Sequence, residues 1–158
     1  MSQFDIAAYL GTYDALASAV QGLTKEQLVW KPAPDKWSVT EVLSHVADHN
    51  IVVSFRIRAI LAGAQDRLPA FEQDAWVSGS RANEGEAADI LALFQSLLAY
   101  NAKLFSRLDE EAWNKTGVNF KGETVTLLAA AQGFIKHAHH HVGQIERVKE
   151  ALAASQGA

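Results

Sequence analysis

The chain contains no cysteine. That removes disulfides, thiolate metal ligands and a protein thiol nucleophile together, so any metal must be held by nitrogen and oxygen donors. Prolines number three, at 32, 34 and 69. Long stretches therefore run without the one residue that breaks a helix. No run of ~18 or more apolar residues occurs, which predicts a chain with no membrane span. Clustered basic charge is missing as well. Fourteen Lys and Arg stand against eighteen Asp and Glu, a net charge of −4 that argues against a nucleic-acid surface. The first twenty residues carry Asp5 and Asp14 but no basic cluster, a poor pattern for a secretory signal. A cytoplasmic location is the expectation. The 158 residues fit one domain, 1–158, with enough chain for a full core.

Helical periodicity fills the rest. The first helix is expected over about 3–21, with Ile6, Tyr9, Leu10, Tyr13, Leu16 and Val20 on one face and Gly22 past its end. Thr24 and Gln27 form a capping pattern for a short turn, which WKPAPDKW interrupts. Ser38 and Glu41 form a second capping box, opening a helix that runs to about Ala62 and stops at Gly63. Residues 64–83 read as loop, with a turn around Phe71–Trp76. Asn83 and Glu86 suggest the cap of a third helix, about 84–108. A connection over about 109–122 contains Gly117 and Gly122, and a last helix starts near Glu123 or Thr124 and ends about Ala154. With no strand signal, the fold class is all-α, an antiparallel four-helix bundle. The link between the second and third long helices, about 20 residues, exceeds what a bundle hairpin needs. It either crosses the end of the bundle or forms a loose hairpin.

All six histidines fall in two of these helices: His45 and His49 in SHVADHN, and His137, His139, His140 and His141 in KHAHHHVGQI. Successive helical residues are rotated by about 100°. On that wheel His137 and His141 lie on or beside the apolar stripe of the last helix, with Gln144 close by. His140 is marginal and His139 faces away. On the second helix, His45 and His49 both border the stripe and Asp48 lies on its flank. A buried imidazole without a partner costs about 1–3 kcal/mol. Several imidazoles converging on one interior also disfavour each other's protonation. A metal ion resolves both problems, because it accepts every lone pair.

The stretch KWSVTEVLSHVADHN resembles the W-S-x-x-E-[IVL]-L-x-H-[LV]-x-D signature of the DinB/YfiT-like superfamily, and HAHHHVGQI resembles that family's late H-x-x-H-H-x-x-Q-[IL] motif. The resemblance spans essentially the whole chain. It implies a four-helix bundle of up-down-down-up type with a long crossover between helices two and three. It also implies one divalent transition metal, zinc or nickel, on three histidines; carried over by position these are His45, His137 and His141. His140 then matches a family histidine that is usually no ligand. Asn50 departs from the pattern, standing where many relatives carry Glu.

Around such a site, Asp48 is the nearby candidate for proton acceptor, Gln144 for orienting a ligand, and Trp37 for a pocket wall. His49 is either a fourth ligand or a donor behind the ligands. Three neutral imidazoles leave the ion its full charge and able to acidify water near pH 7. Branches of the family use an external low-molecular-weight thiol in transfer or isomerisation, and others are regarded as metal-dependent hydrolases acting on small molecules. The family often forms homodimers, for which Phe71 and Trp76 are candidates as exposed apolar residues. Two other readings stand beside the enzyme: a non-catalytic metal- or ligand-binding bundle, and a plain bundle with a hydrogen-bonded histidine core.

Overall fold

The computed structural model describes residues 4–157. Four long helices carry the core: α1 (Ile6–Val20), α3 (Val39–Leu61), α5 (Ala87–Phe105) and α7 (Leu127–Gln156). Between them lie α2 (Lys25–Val29), α4 (Gln73–Ser80), a 3₁₀ turn (Ala82–Glu84), α6 (Glu110–Trp113) and a hairpin of β1 (Thr116–Val118) and β2 (Thr124–Thr126). α3 packs against α5 and α7, and α1 packs against the same two. Among the described residues, no helix is long and apolar enough to cross a membrane.

The local signals explain most helix ends. Asp5 accepts from the Ala8 amide at 2.9 Å and starts α1 at Ile6, later than the periodicity suggests; position 3 lies outside the described residues. Gly22 turns left-handed at φ 81° and ends it. Thr24 with Gln27 and Ser38 with Glu41 form reciprocal capping boxes for α2 and α3.

Four expectations fail. Asn83 and Glu86 do not cap a helix together. α5 begins at Ala87, and Asn83 Oδ1 instead accepts from the Ser38 hydroxyl at 2.6 Å, pinning the crossover to the head of α3. Residues 64–83 are not plain loop, since they contain α4 and the start of the 3₁₀ turn. The connection 109–122 leads into a hairpin, where no strand was anticipated. Asn119 Oδ1 accepts from the amides of Lys121 and Glu123 to shape the turn. The amide of Leu68 donates to the Val118 carbonyl at 2.7 Å, lacing the crossover to the hairpin. Gly117 is required there: a Cβ would lie 2.7 Å from Ile60 Cγ1. Because 124–126 are strand, α7 opens later than expected, at Leu127, capped by Thr126.

The core is apolar, with Leu16, Val46, Ile57, Phe94, Leu98 and Phe134 all buried. One polar chain crosses it. Asn101 Nδ2 donates to Tyr9 Oη at 3.0 Å and to Ser54 Oγ at 2.8 Å, and Ser54 Oγ donates to Asn50 Oδ1 at 3.4 Å. Burial pushes the Tyr9 phenol up to about 12, so it stays protonated. Asn101 thus joins α5 to α1 and α3, while Asn50 adds an acceptor to Ser54 within α3.

Candidate metal centre

α3 and α7 bring three histidines together. The Nε2 atoms of His45 and His137 lie 3.1 Å apart, those of His45 and His141 3.0 Å, and those of His137 and His141 3.1 Å. His137 and His141 are one turn apart on α7, so their rings leave the same face. His45 reaches them from the facing helix and is fully buried. Among the described residues these three form a group able to hold a metal ion.

The donor set fits a divalent transition metal. Bonds of about 2.1 Å meeting at angles between a right angle and the tetrahedral one put ligand nitrogens about 3.0–3.4 Å apart. A neutral imidazole carries one proton, so three nitrogens this close cannot all be satisfied by hydrogen bonds to each other. His141 Nδ1 lies 2.7 Å from Gln144 Oε1, while Nδ1 of His45 and of His137 have no partner among the described residues.

Around the trio the structure builds an aromatic wall. Phe71, from the crossover, stacks on His45 with ring centroids 5.5 Å apart and planes 6° apart. Trp76 meets Phe71 edge-on at 5.1 Å. Phe71 was expected as an exposed dimer residue; it is half-buried over the site, and only Trp76 is exposed. The Trp37 ring lies 5.0 Å from His45. A cavity of about 210 Å³ opens beside it, lined by Asp35, Lys36, Trp37, Gln73, Asp74 and Gln144. A second, of about 400 Å³, shares Asp35, Trp37 and Asp74.

The remaining sequence candidates separate. His49 stays outside the close trio: its ring stacks on His137 at 3.7 Å and on Phe134 at 5.9 Å. Asp48 makes no hydrogen bond to the histidines; its Oδ2 is buried without a partner, and burial raises its carboxyl above the usual range. His139 and His140 are exposed. The helical period places Phe134 on the same stripe as His137 and His141, whereas no sequence signal marks Phe71 as a neighbour of the histidines.

Burial depresses the imidazoles. His45 is lowered to about 4 and His137 to about 2, in each case by desolvation first and by neighbouring histidines second. His49 falls to about 3 by desolvation, then His45 and Arg56. A folded pKa below the unfolded value of 6.5 means that the unfolded chain takes protons first. Stability is then complete above about pH 6.5 and is lost as pH falls toward the folded values. Asp48 acts in the opposite sense, since protonation relieves its burial, but it is one group against four, His141 being lowered by burial as well. Metal-free protein should therefore lose about 5–10 °C of Tm between about pH 7.5 and 5.5. Circular dichroism melts in chelator check this, and a flat profile would contradict the buried cluster.

The chain is similar to several known proteins. The family model described as the DinB superfamily matches residues 8–145. YfiT of Bacillus subtilis, provisionally named a metal-dependent hydrolase, is 23% identical over 141 residues, covering 89% of this chain and 79% of that one. A Geobacillus thermodenitrificans protein with the same provisional name is 26% identical over 147 residues, covering 92% and 82%. The solved structure of YfiT, described as a four-helix bundle of unusual topology, superposes with a TM-score of 0.86 at 22% identity, covering 94% of this chain and 85% of that one. A mycothiol-dependent maleylpyruvate isomerase superposes with a TM-score of 0.71 at 10% identity, covering 89% and 58%.

Proposed function

The chain belongs to the DinB superfamily, and from that premise we propose that it is a metal-dependent enzyme acting on a small molecule, as a hydrolase or as a transferase that uses an external low-molecular-weight thiol. The observation that carries this is the trio of Nε2 atoms within 3.1 Å of one another. His45, His137 and His141 are the proposed ligands of one divalent ion, zinc or nickel. When bound, such an ion is a Lewis acid that makes water or a thiol acidic near neutral pH. Trp37 and Phe71 exclude bulk water from His45. Asp48 is the proposed proton acceptor; its buried, unpartnered Oδ2 and raised pKa support that role.

A finer reading of the fold supports the same picture. We take the path as up-down-down-up within one domain. Ser38 meets Asn83 and Ser54 meets Asn101, as parallel α3 and α5 require. Tyr9 meets Asn101, and Phe4 meets Phe105, as antiparallel α1 and α5 require. The net charge of −4 favours a reading without nucleic acid. A cytoplasmic homodimer is proposed on the absence of cysteine and on the exposed apolar side chains of Leu10, Ile51, Phe55 and Leu93.

One observation favours a second reading, a non-catalytic metal site. His45 has no exposed surface and lies under Phe71, as a closed structural site would have it. Cobalt-loaded protein separates the two. The enzyme reading expects the visible spectrum to change on adding azide or 2-mercaptoethanol, because a catalytic site keeps an open position. A spectrum indifferent to both would sink it in favour of the closed site.

A further inference from the structure

We propose that Gln144 is a positioning residue that fixes His141 as its Nδ1–H tautomer, so that the Nε2 lone pair faces His45 and His137. This rests on the metal-site reading above but concerns the imidazole itself. The Oε1 atom of Gln144 lies 2.7 Å from His141 Nδ1. A side-chain amide oxygen only accepts, so the proton at that contact belongs to Nδ1. A neutral ring then has none left for Nε2.

The opposite orientation of the amide has a definite consequence. With its nitrogen toward Nδ1, Gln144 would donate, and the His141 proton would move to Nε2. That proton would point at two other nitrogens, 3.0 and 3.1 Å away. One amide orientation therefore decides whether His141 offers the trio a lone pair or a proton.

His141 is also the only ring of the three so fixed among the described residues, since Nδ1 of His45 and of His137 lack partners. Gln144 is well placed to hold it. It lies one turn further along α7, at i+3, so helix geometry rather than loop geometry sets the contact. Its side chain lines the cavity of about 210 Å³, and its amide nitrogen makes no hydrogen bond among the described residues. The neutral amide supplies an acceptor to His141 without adding a negative charge beside the ion.

Two changes test the role. In Gln144→Leu an apolar side chain of similar bulk replaces the acceptor; in the isosteric Gln144→Glu a stronger acceptor replaces it. Zinc affinity, measured by chelator competition on tag-free protein, should fall about 10–100-fold in Gln144→Leu and stay equal or rise in Gln144→Glu. Long-range proton–nitrogen NMR of metal-free protein should show His141 as the Nδ1–H tautomer, and this should be lost in Gln144→Leu. The proposal is overturned if Gln144→Leu binds zinc within about threefold of the parent. It is equally overturned if Gln144→Glu weakens binding as much as Gln144→Leu does, or if the parent carries its proton on Nε2. The NMR result stands on its own if the parent binds no zinc at all, an outcome that would count against the metal-site reading instead.

Discussion

Replacing His141 by alanine is expected to strip the protein of its metal. His141 is buried, its Nε2 lies 3.0–3.1 Å from both other candidate ligands, and its Nδ1 contacts Gln144. The variant retains two nitrogen donors on two helices, fewer than the three protein ligands that hold a catalytic divalent metal. Loss of a directly coordinating group should exceed the effect of a supporting one, so affinity should fall by more than about 100-fold. Elemental analysis of tag-free protein should find about one transition metal per chain in the parent and none in the variant. The exposed neighbours supply the control. His139 and His140 belong to the same HHH run, and a run of histidines binds metal adventitiously. Changing both to alanine should leave the stoichiometric metal in place. A His141→Ala protein that kept its metal, or a double variant that lost it, would move the site off the bundle interior. Circular dichroism of the metal-free forms checks that the variant is folded, and the two spectra should be closely alike.

How far the sequence discloses such a site depends on the range of each interaction. The capping boxes at Thr24 and Ser38 were legible because donor and acceptor are three residues apart. Gly22 and Gly63 were legible because a left-handed φ selects glycine locally. His137 and His141 share a helix face, so their convergence followed from the helical period alone. His45 and His49 could not be told apart this way, since both border the stripe of α3. Packing separates them: His49 is held against Phe134 and stacks on His137, while His45 points its Nε2 into the trio. The hairpin was invisible because strands of three residues are too short to show a period, and their pairing is with each other and with Leu68, some fifty residues away. Phe71 was invisible for a related reason. Its partner is the His45 ring, on another element, and a lone phenylalanine in a Pro-containing crossover gives no sign of where it lands. Asn83 shows the same competition: a local capping pattern loses to the Ser38 hydroxyl.

The largest loss of stability is expected from Phe134→Ala. Phe134 sits on α7 and is almost fully buried, at 1% exposure. Its ring meets Tyr9 of α1 at 5.3 Å, Phe94 of α5 at 5.9 Å and His49 of α3 at 5.9 Å, so one side chain touches the other three long helices. Truncation removes that contact area and leaves a cavity that helices joined on all sides cannot readily close. The cost should be about 3–5 kcal/mol, or a Tm lower by about 6–20 °C for a chain of this size. Phe120→Ala, on the exposed turn of the hairpin, should stay within about 0.5 kcal/mol. Denaturant melts of metal-free protein measure both, and a cost below about 1 kcal/mol for Phe134→Ala would mean that the four helices do not meet there. The same residue links stability to chemistry. Phe134 supports the His49 ring, which lies 3.7 Å from the His137 ring. Loss of Phe134 should therefore also loosen His137 and weaken metal binding by about tenfold, the scale of a lost supporting contact and well short of a lost ligand. Phe134→Leu fills most of the cavity without restoring the flat surface. It should recover much of the stability and less of the metal affinity, which separates support of the histidine from packing of the core.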